Sequence, residues 1–269
     1  MEMQWWQAAI LAIIQGLAEF LPISSSGHLV LLPLFVGWED QGLAFDVAVH
    51  VGTLLAVLAY FRADLQPLVT GLLRFVAGDR REAAGRLAVN LLVGSVPVGL
   101  AGLTFADFIE EHLRSPFVVA FQLAVFGVVL HLADRLGRRK RQETGLTVGE
   151  ALLIGCGQAL ALVPGTSRSG ITMTVALSLG LTREAAARFS FLLSVPGIAM
   201  AGGYEGLKLA TGEGAVMPPL AAIVTGVLVS GVVGYLCIAF LLKFIARIGF
   251  LPFTIYRLLL AGLIVVVFI

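Results

Sequence analysis

Charge is the scarcest feature of this sequence. Asp, Glu, Lys and Arg make up 13% of its 269 residues, about half the roughly 25% of a soluble domain. That scarcity excludes a water-soluble globular fold. The formal net charge is only +1, so there is no basic surplus to meet a nucleic acid. Cysteine is nearly absent as well. Cys156 and Cys237 are the only two, and each sits inside an apolar run. They read as small packed residues, which excludes a disulfide framework and a thiolate metal site. The first apolar run has no basic residue before it and no small-residue cleavage signal, which argues against a removed signal peptide. What the chain has in abundance is apolar side chains, 58% of residues with a mean hydropathy of +0.96. The expected class is an all-α polytopic membrane protein.

A spanning helix needs about 20 apolar residues, within a range of roughly 17–25. Six runs qualify: Phe45–Phe61, Leu87–Phe105 with Pro97 as an expected kink, Phe117–Ala133, Ala185–Tyr204 with Pro196, Pro219–Leu242 and Phe250–Ile269. Four shorter apolar pieces remain, at 3–21, 25–36, 148–163 and 170–180. They flank two polar interruptions. The first is Gln15-Gly-Leu-Ala-Glu19-Phe-Leu-Pro22-Ile-Ser24-Ser25-Ser26-Gly27-His28. The second runs from Gln158 through Pro164-Gly165-Thr166-Ser167-Arg168-Ser169-Gly170-Ile171-Thr172. Each is a glutamine, then a proline, then hydroxyls and glycine. Pieces this short read as two re-entrant helical hairpins rather than spans.

The pieces fall into two sets of one order. Residues 1–134 form repeat 1, residues 148–269 form repeat 2, and 135–147 form a basic cytoplasmic linker inside a single membrane domain, 1–269. A hairpin returns to its own side and three spans do not, so the repeats must have opposite topology. Such inverted repeats place a polar site near the bilayer midplane between them. The two interruptions are therefore expected to meet in space.

Basic residues test that layout. Fourteen fall on one side: Arg62, Arg74, Arg80, Arg81, Arg86, the cluster Arg135, Arg138, Arg139, Lys140 and Arg141, then Arg183, Arg188, Lys243 and Arg247. Only Arg114 and Lys208 fall on the other, where Asp107, Glu110 and Glu111 share an expected loop. Lys and Arg concentrate in cytoplasmic loops, so both termini are expected outside. Trp5 and Trp6 suit an anchor at the outer interface.

The interruptions hold the chemistry. Glu19 at membrane depth costs at least about 2.5–3.5 kcal/mol, so it must line a cavity or have a partner. Gln15 lies one helical turn before it. Pro22 ends the first short helix. Ser24, Ser25 and Ser26 fall where the next helix starts, a place for capping side chains and for an anion. His28 beside hydroxyls and a carboxylate suits proton transfer or nucleophilic attack. Arg168 stays charged, and its planar fork matches phosphate oxygens. With Thr166, Ser167, Ser169, Gly165 and Gly170 it reads as a phosphate cradle. Asp46 and His50, Ser190 and Ser194, and also Asn90, His131, Glu205 and Arg257 are expected to pair locally as structural or supporting groups.

These motifs resemble the bacterial undecaprenyl-diphosphate phosphatases of the bacitracin-resistance type. The likeness covers the whole chain, including Gly52-Thr53 and the run from Arg188 to Pro196. It implies hydrolysis of a polyprenyl diphosphate lipid to its monophosphate, the carrier for cell-wall synthesis. It also implies a divalent cation, Mg or Ca, held by Glu19, and an active site on the outer face of the cytoplasmic membrane. By position, Glu19, His28 and Arg168 match the family's essential residues, and Ser25 matches a proposed nucleophile. Gln15, Ser24, Ser26, Thr166, Ser167, Ser169 and Gly170 complete the expected substrate contacts. Gln15 stands where other members carry glutamate, so a carboxylate there is not obligatory. Ser26 stands where threonine is common, which keeps the hydroxyl. A homodimer is compatible with this reading; a nucleic-acid partner is not. The alternative is a lipid-phosphate transporter or flippase with inverted repeats, which would use the same arginine and helix ends without a nucleophile.

Overall fold

The computed structural model describes residues 3–211 and 217–269. The side chains of Glu110, Glu205, Leu209 and Ala210 lie outside what is described. Among the described residues the fold is helical, with eleven α-helices. They are α1 (Trp5–Ala18), α2 (Ser25–Val36), α3 (Leu43–Tyr60), α4 (Arg62–Val76), α5 (Ala83–His112), α6 (Pro116–Leu136), α7 (Val148–Ala159), α8 (Arg168–Ser178), α9 (Arg183–Ala210), α10 (Leu220–Ile248) and α11 (Leu251–Phe268).

Six of these, α3, α5, α6, α9, α10 and α11, are long and apolar enough to cross a membrane. They coincide with the six sequence runs. The shorter apolar helices α1, α2 and α7 match three of the four short pieces. The fourth piece is α8, whose inner face is almost wholly buried. Helices α5 and α9 continue through Pro97 and Pro196. The acidic stretch expected as a loop is instead the last turns of α5, which runs to His112.

One element is new relative to the sequence reading. Residues 62–76 form α4, whose Leu68 and Gly71 are buried while Val69, Leu73 and Val76 are exposed. Arg62, Asp64 and Arg74 break up its apolar run, so its helical periodicity is masked by charge.

Local sequence sets several helix ends. Ser115 caps α6 through Val118 N–H, with Pro116 in the first turn. Thr147 and Glu150 form a capping box at α7. Gly37, at φ 69°, closes α2 in the left-handed region.

Small residues let the short helices sit deep between the long ones. A Cβ on Gly16 of α1 would meet Ser230 O of α10 at 2.9 Å. A Cβ on Gly155 of α7 would meet the backbone of Gly94 on α5 more closely still. The outer belt is apolar, with Leu259, Val266 and Phe121 at 70%, 79% and 65% exposure. That is the surface of a protein solvated by lipid.

The basic side is laced by ion pairs. Arg183 binds Asp134 with Nε and Nη2, at 2.6 and 2.8 Å. Arg188 joins Glu143 of the linker to Asp64 of α4. Arg141 reaches Glu150, Gly145 O and Leu179 O. Cys237 is buried as expected, whereas Cys156 is exposed on α7, as are Leu152 and Leu153 of the same helix.

Candidate active site

Glu19 follows α1 directly, its N–H still bonded to Gln15 O. The chain then turns through Pro22 and Ile23 to Ser24. Ser24 has φ 74°, a value that costs a non-glycine residue about 1–3 kcal/mol. In that conformation its Oγ accepts from Gly27 N–H at 3.3 Å and caps α2. The second turn repeats this device. Ser167 has φ 73°, and its Oγ accepts from Gly170 N–H at 3.1 Å to cap α8. One sequence offset relates Ser24 to Ser167, Gly27 to Gly170 and Gln15 to Gln158. The same offset makes Ser25 and Arg168 counterparts, each the first residue of its helix.

The two turns touch. Gly165 N–H donates to Ser24 Oγ at 3.1 Å, and Ser169 Oγ–H donates to Leu21 O at 3.0 Å. Arg257 of α11 fastens them from behind. It is fully buried, and its guanidinium donates to Pro22 O, Gly165 O and Thr166 O, and to Gln122 O and Leu123 O of α6. Five backbone carbonyls take the place of a carboxylate partner, which is how this buried charge is tolerated.

Glu19 is the hub. Its Oε1 accepts from Arg168 Nε at 3.2 Å and Nη2 at 3.1 Å. Its Oε2 accepts from Ser25 Oγ at 2.7 Å and from Gln15 Nε2 at 3.1 Å. His50 Nε2 lies 3.7 Å from that same oxygen. Arg168 Nη1 also donates to Ser190 O at 3.0 Å.

A cavity of about 280 Å³ opens over this hub. Glu19, Ser25, Ser26, Asp46, His50, Gln158, Ser167 and Arg168 line its polar part. Its apolar lining includes Leu43 and Val47 of α3, Val98 of α5, Leu162 before the second turn, and Ile198 and Ala201 of α9. The N-termini of α2 and α8 both start at its wall. Their first N–H groups lie outside the helical ladder, and both dipoles favour an anion there. A hydroxyl held by a carboxylate, opposite a guanidinium and two helix starts, can bind a phosphoryl group and attack it.

The whole chain is similar to known proteins. A family model described as "Bacitracin resistance protein BacA" matches residues 8–263. The chain belongs to the BacA family. Among its curated relatives, "Undecaprenyl-diphosphatase 2" of Stutzerimonas stutzeri is 53% identical, with 97% of each chain covered. "Undecaprenyl-diphosphatase" of Hahella chejuensis is 54% identical over 98% of each chain. The protein of that same name from Teredinibacter turnerae is 54% identical over 94% of this chain and 96% of its own. Family and helices together make this BacA member a multi-pass inner-membrane protein.

Of the residues singled out by sequence in this BacA chain, Glu19, Ser25, Ser26, Ser167 and Arg168 reach the cavity. Gln15 stands behind it, buried and donating to Glu19. Ser24, Ser169 and Gly170 build the turns rather than line the cavity. Thr166 is fully buried, and its carbonyl serves Arg257. His28 is the departure from expectation, because it does not face Glu19. Its Nδ1–H donates to Ser24 O and its Nε2 meets Tyr256 Oη, each at 2.7 Å. The ring stacks on Tyr256 at 5.7 Å. One turn into α2, its side chain points to α11, away from the cavity.

Asp46, His50 and Gln158 are the cavity residues that sequence reasoning set aside. His50 Nδ1–H donates to Asp46 O at 2.7 Å, which aims Nε2 at Glu19. Asn90 was expected to pair locally, but its Nδ2 donates instead to Leu146 O, 56 residues further along the chain, at 2.8 Å. Thr172 Oγ1 and Ser190 Oγ meet at 2.7 Å, and Ser194 bonds Phe191 O. Among the described residues His131 Nδ1 has no hydrogen-bond partner. The Glu205 side chain lies outside those described.

The residues do not fit a resident metal centre. Both Glu19 oxygens already accept hydrogen bonds from Arg168, Ser25 and Gln15. Among the described residues no group of three or more His, Cys, Asp and Glu side chains could hold an ion.

Proposed function

We propose that this chain hydrolyses undecaprenyl diphosphate to undecaprenyl phosphate and inorganic phosphate, as its relatives' names state of them. The observation that carries this reading is the 2.7 Å bond from Ser25 Oγ to Glu19 Oε2, at the foot of a cavity that also holds Arg168. A transporter has no use for a hydroxyl so activated, which favours the enzyme over the flippase.

In this reading Arg168 leaves Glu19 to grip the terminal phosphate through its planar fork. The two helix N-termini and the Ser26 and Ser167 hydroxyls surround the remaining oxygens. Glu19 takes the proton of Ser25 as Oγ attacks the terminal phosphorus. The bond to the bridging oxygen breaks, and undecaprenyl phosphate leaves. Glu19 passes that proton to the departing phosphate. A water, deprotonated by the recharged Glu19, then attacks the phosphoserine, and Glu19 returns the proton to Ser25 Oγ as inorganic phosphate leaves. Most of the rate comes from positioning and charge stabilisation. His28 is a positioning residue here. It donates to Ser24 O and so steadies the strained turn that aims Ser25. The divalent cation implied by the family resemblance, Mg or Ca, would travel with the diphosphate rather than reside on Glu19.

The polyprenyl tail passes between α3, α5 and α9 into the bilayer. A Cβ at Gly202 would meet nothing within 4 Å, which leaves room for it. The two halves are read as inverted repeats, 1–134 and 148–269, with α1–α2 and α7–α8 as re-entrant hairpins. Three relations support this. The two capped turns correspond by one offset. Helix α1 packs on α10 through Gly16 as α7 packs on α5 through Gly155. Basic residues gather on one side. That side is then cytoplasmic, and the active site and both termini face outward.

The test is phosphate release from undecaprenyl diphosphate by purified protein in detergent. Steady turnover is expected. Binding of the lipid without phosphate release would overturn the phosphatase reading.

A further inference from the structure

Gln158 is 1% exposed, yet neither its Nε2 nor its Oε1 meets a hydrogen-bond partner among the described residues. A buried primary amide in that condition is costly. It also faces the cavity of the active site, beside Ser167 and Arg168. A Cβ on Gly197 would sit at ordinary van der Waals distance from it, 3.8 Å from Oε1 and 4.0 Å from Nε2, so the glycine leaves room for a methyl-sized group beside the amide.

Its counterpart in the other half explains the difference. Gln15 sits one turn before Glu19 and donates its Nε2 to that carboxylate at 3.1 Å. One turn after Gln158 stands Leu162, which is apolar and also lines the cavity. Gln158 therefore keeps its donor free, and the cavity is the direction it has left. Groups of this kind at a phosphate-binding site are paired when the ligand arrives.

We infer that Gln158 is a further substrate-contacting residue, whose Nε2 donates to a non-bridging oxygen of the bound diphosphate. The residue thus adds a neutral donor beside the Arg168 guanidinium and opposite Ser25. The identity of the ligand rests on the phosphatase reading; the free amide does not.

The experiment compares the parent with Gln158→Leu and Gln158→Glu as full-length purified proteins. Three quantities are measured: thermal unfolding, kcat/KM on undecaprenyl diphosphate, and affinity for a non-hydrolysable methylene-diphosphonate polyprenyl analogue. Gln158→Leu removes an unpaired buried amide, so its Tm should equal or exceed the parent's. Its kcat/KM and its affinity for the analogue should fall about 10- to 100-fold. Gln158→Glu puts a negative charge against the phosphate and should fall further. Parent-like affinity in Gln158→Leu overturns the inference. So does a lowered Tm with affinity unchanged per folded molecule, which would mark a structural amide. If the parent binds the analogue but turns over no diphosphate, the phosphatase reading fails, and the affinity difference between parent and variant still decides the role of Gln158. If the parent does not bind the analogue, the inference falls with the reading.

Discussion

Arg168 and Glu19 hold each other across the two turns, with Nε and Nη2 at 3.2 and 3.1 Å from Oε1. Their side chains are 16% and 5% exposed, so both charges are largely withdrawn from water. Removing one partner of a buried pair typically costs about 3–5 kcal/mol, because the other is stranded. Arg168→Gln and Glu19→Gln should each lower the Tm, and each should lose activity. The double variant should regain much of the lost stability while staying inactive. A thermal double-mutant cycle beside a phosphate-release assay checks this, and full additivity in Tm would show the pair to be uncoupled.

His28 should prove replaceable by a group that keeps its donor. Its Nδ1–H bond to Ser24 O is the contact that steadies the turn. An asparagine amide can donate to the same carbonyl. His28→Asn is expected to retain far more activity than His28→Ala, with the loss in kcat. If both are equally dead while both fold, the imidazole does chemistry itself and the positioning role is wrong.

The capping serines carry opposing effects that substitution can separate. Ser24→Ala keeps the strained φ of 74° and loses the cap, which is worth about 0.5–2 kcal/mol. It also strands the Gly165 N–H. Ser24→Gly loses the same hydrogen bonds but relieves the backbone. The glycine variant should therefore unfold at a higher temperature than the alanine variant. The same order is expected at Ser167. The reverse order would mean that the positive φ carries no strain.

Much of this fold is legible because lipid imposes a simple code. Long apolar runs such as Phe45–Phe61 and Pro219–Leu242 emerge as α3 and α10 because backbone groups in hydrocarbon must bond within the segment. The polar interruptions stand out against that background, so Glu19 was visible as a charge in need of a cavity or a partner, and Arg168 as a phosphate ligand. Helix α4 was not visible, because its periodicity is helical but its charges, Arg62, Asp64 and Arg74, break the run. His50 is a different kind of miss. On α3 it reads as a lone histidine one turn from Asp46. Only tertiary packing sets its Nε2 3.7 Å from Glu19. His28 shows the converse. Its nearness in sequence to Ser25 invited a shared role, but one helical turn carries its ring to Tyr256 on α11. Gln158 carried a signal that went unused, since it repeats Gln15 at the same place before the second turn.

The central claim is that Ser25, held on Glu19, is the nucleophile. The most direct measurement is the rate of phosphate release from undecaprenyl diphosphate by purified Ser25→Ala, with its thermal unfolding recorded beside the parent's. Ser25 lies at the cavity wall, so the variant should fold with nearly the parent's Tm. Its kcat should fall by about 1,000-fold or more, as for loss of a nucleophile. A well-folded Ser25→Ala that still releases phosphate within about tenfold of the parent's rate would contradict the account and pass the attack to water.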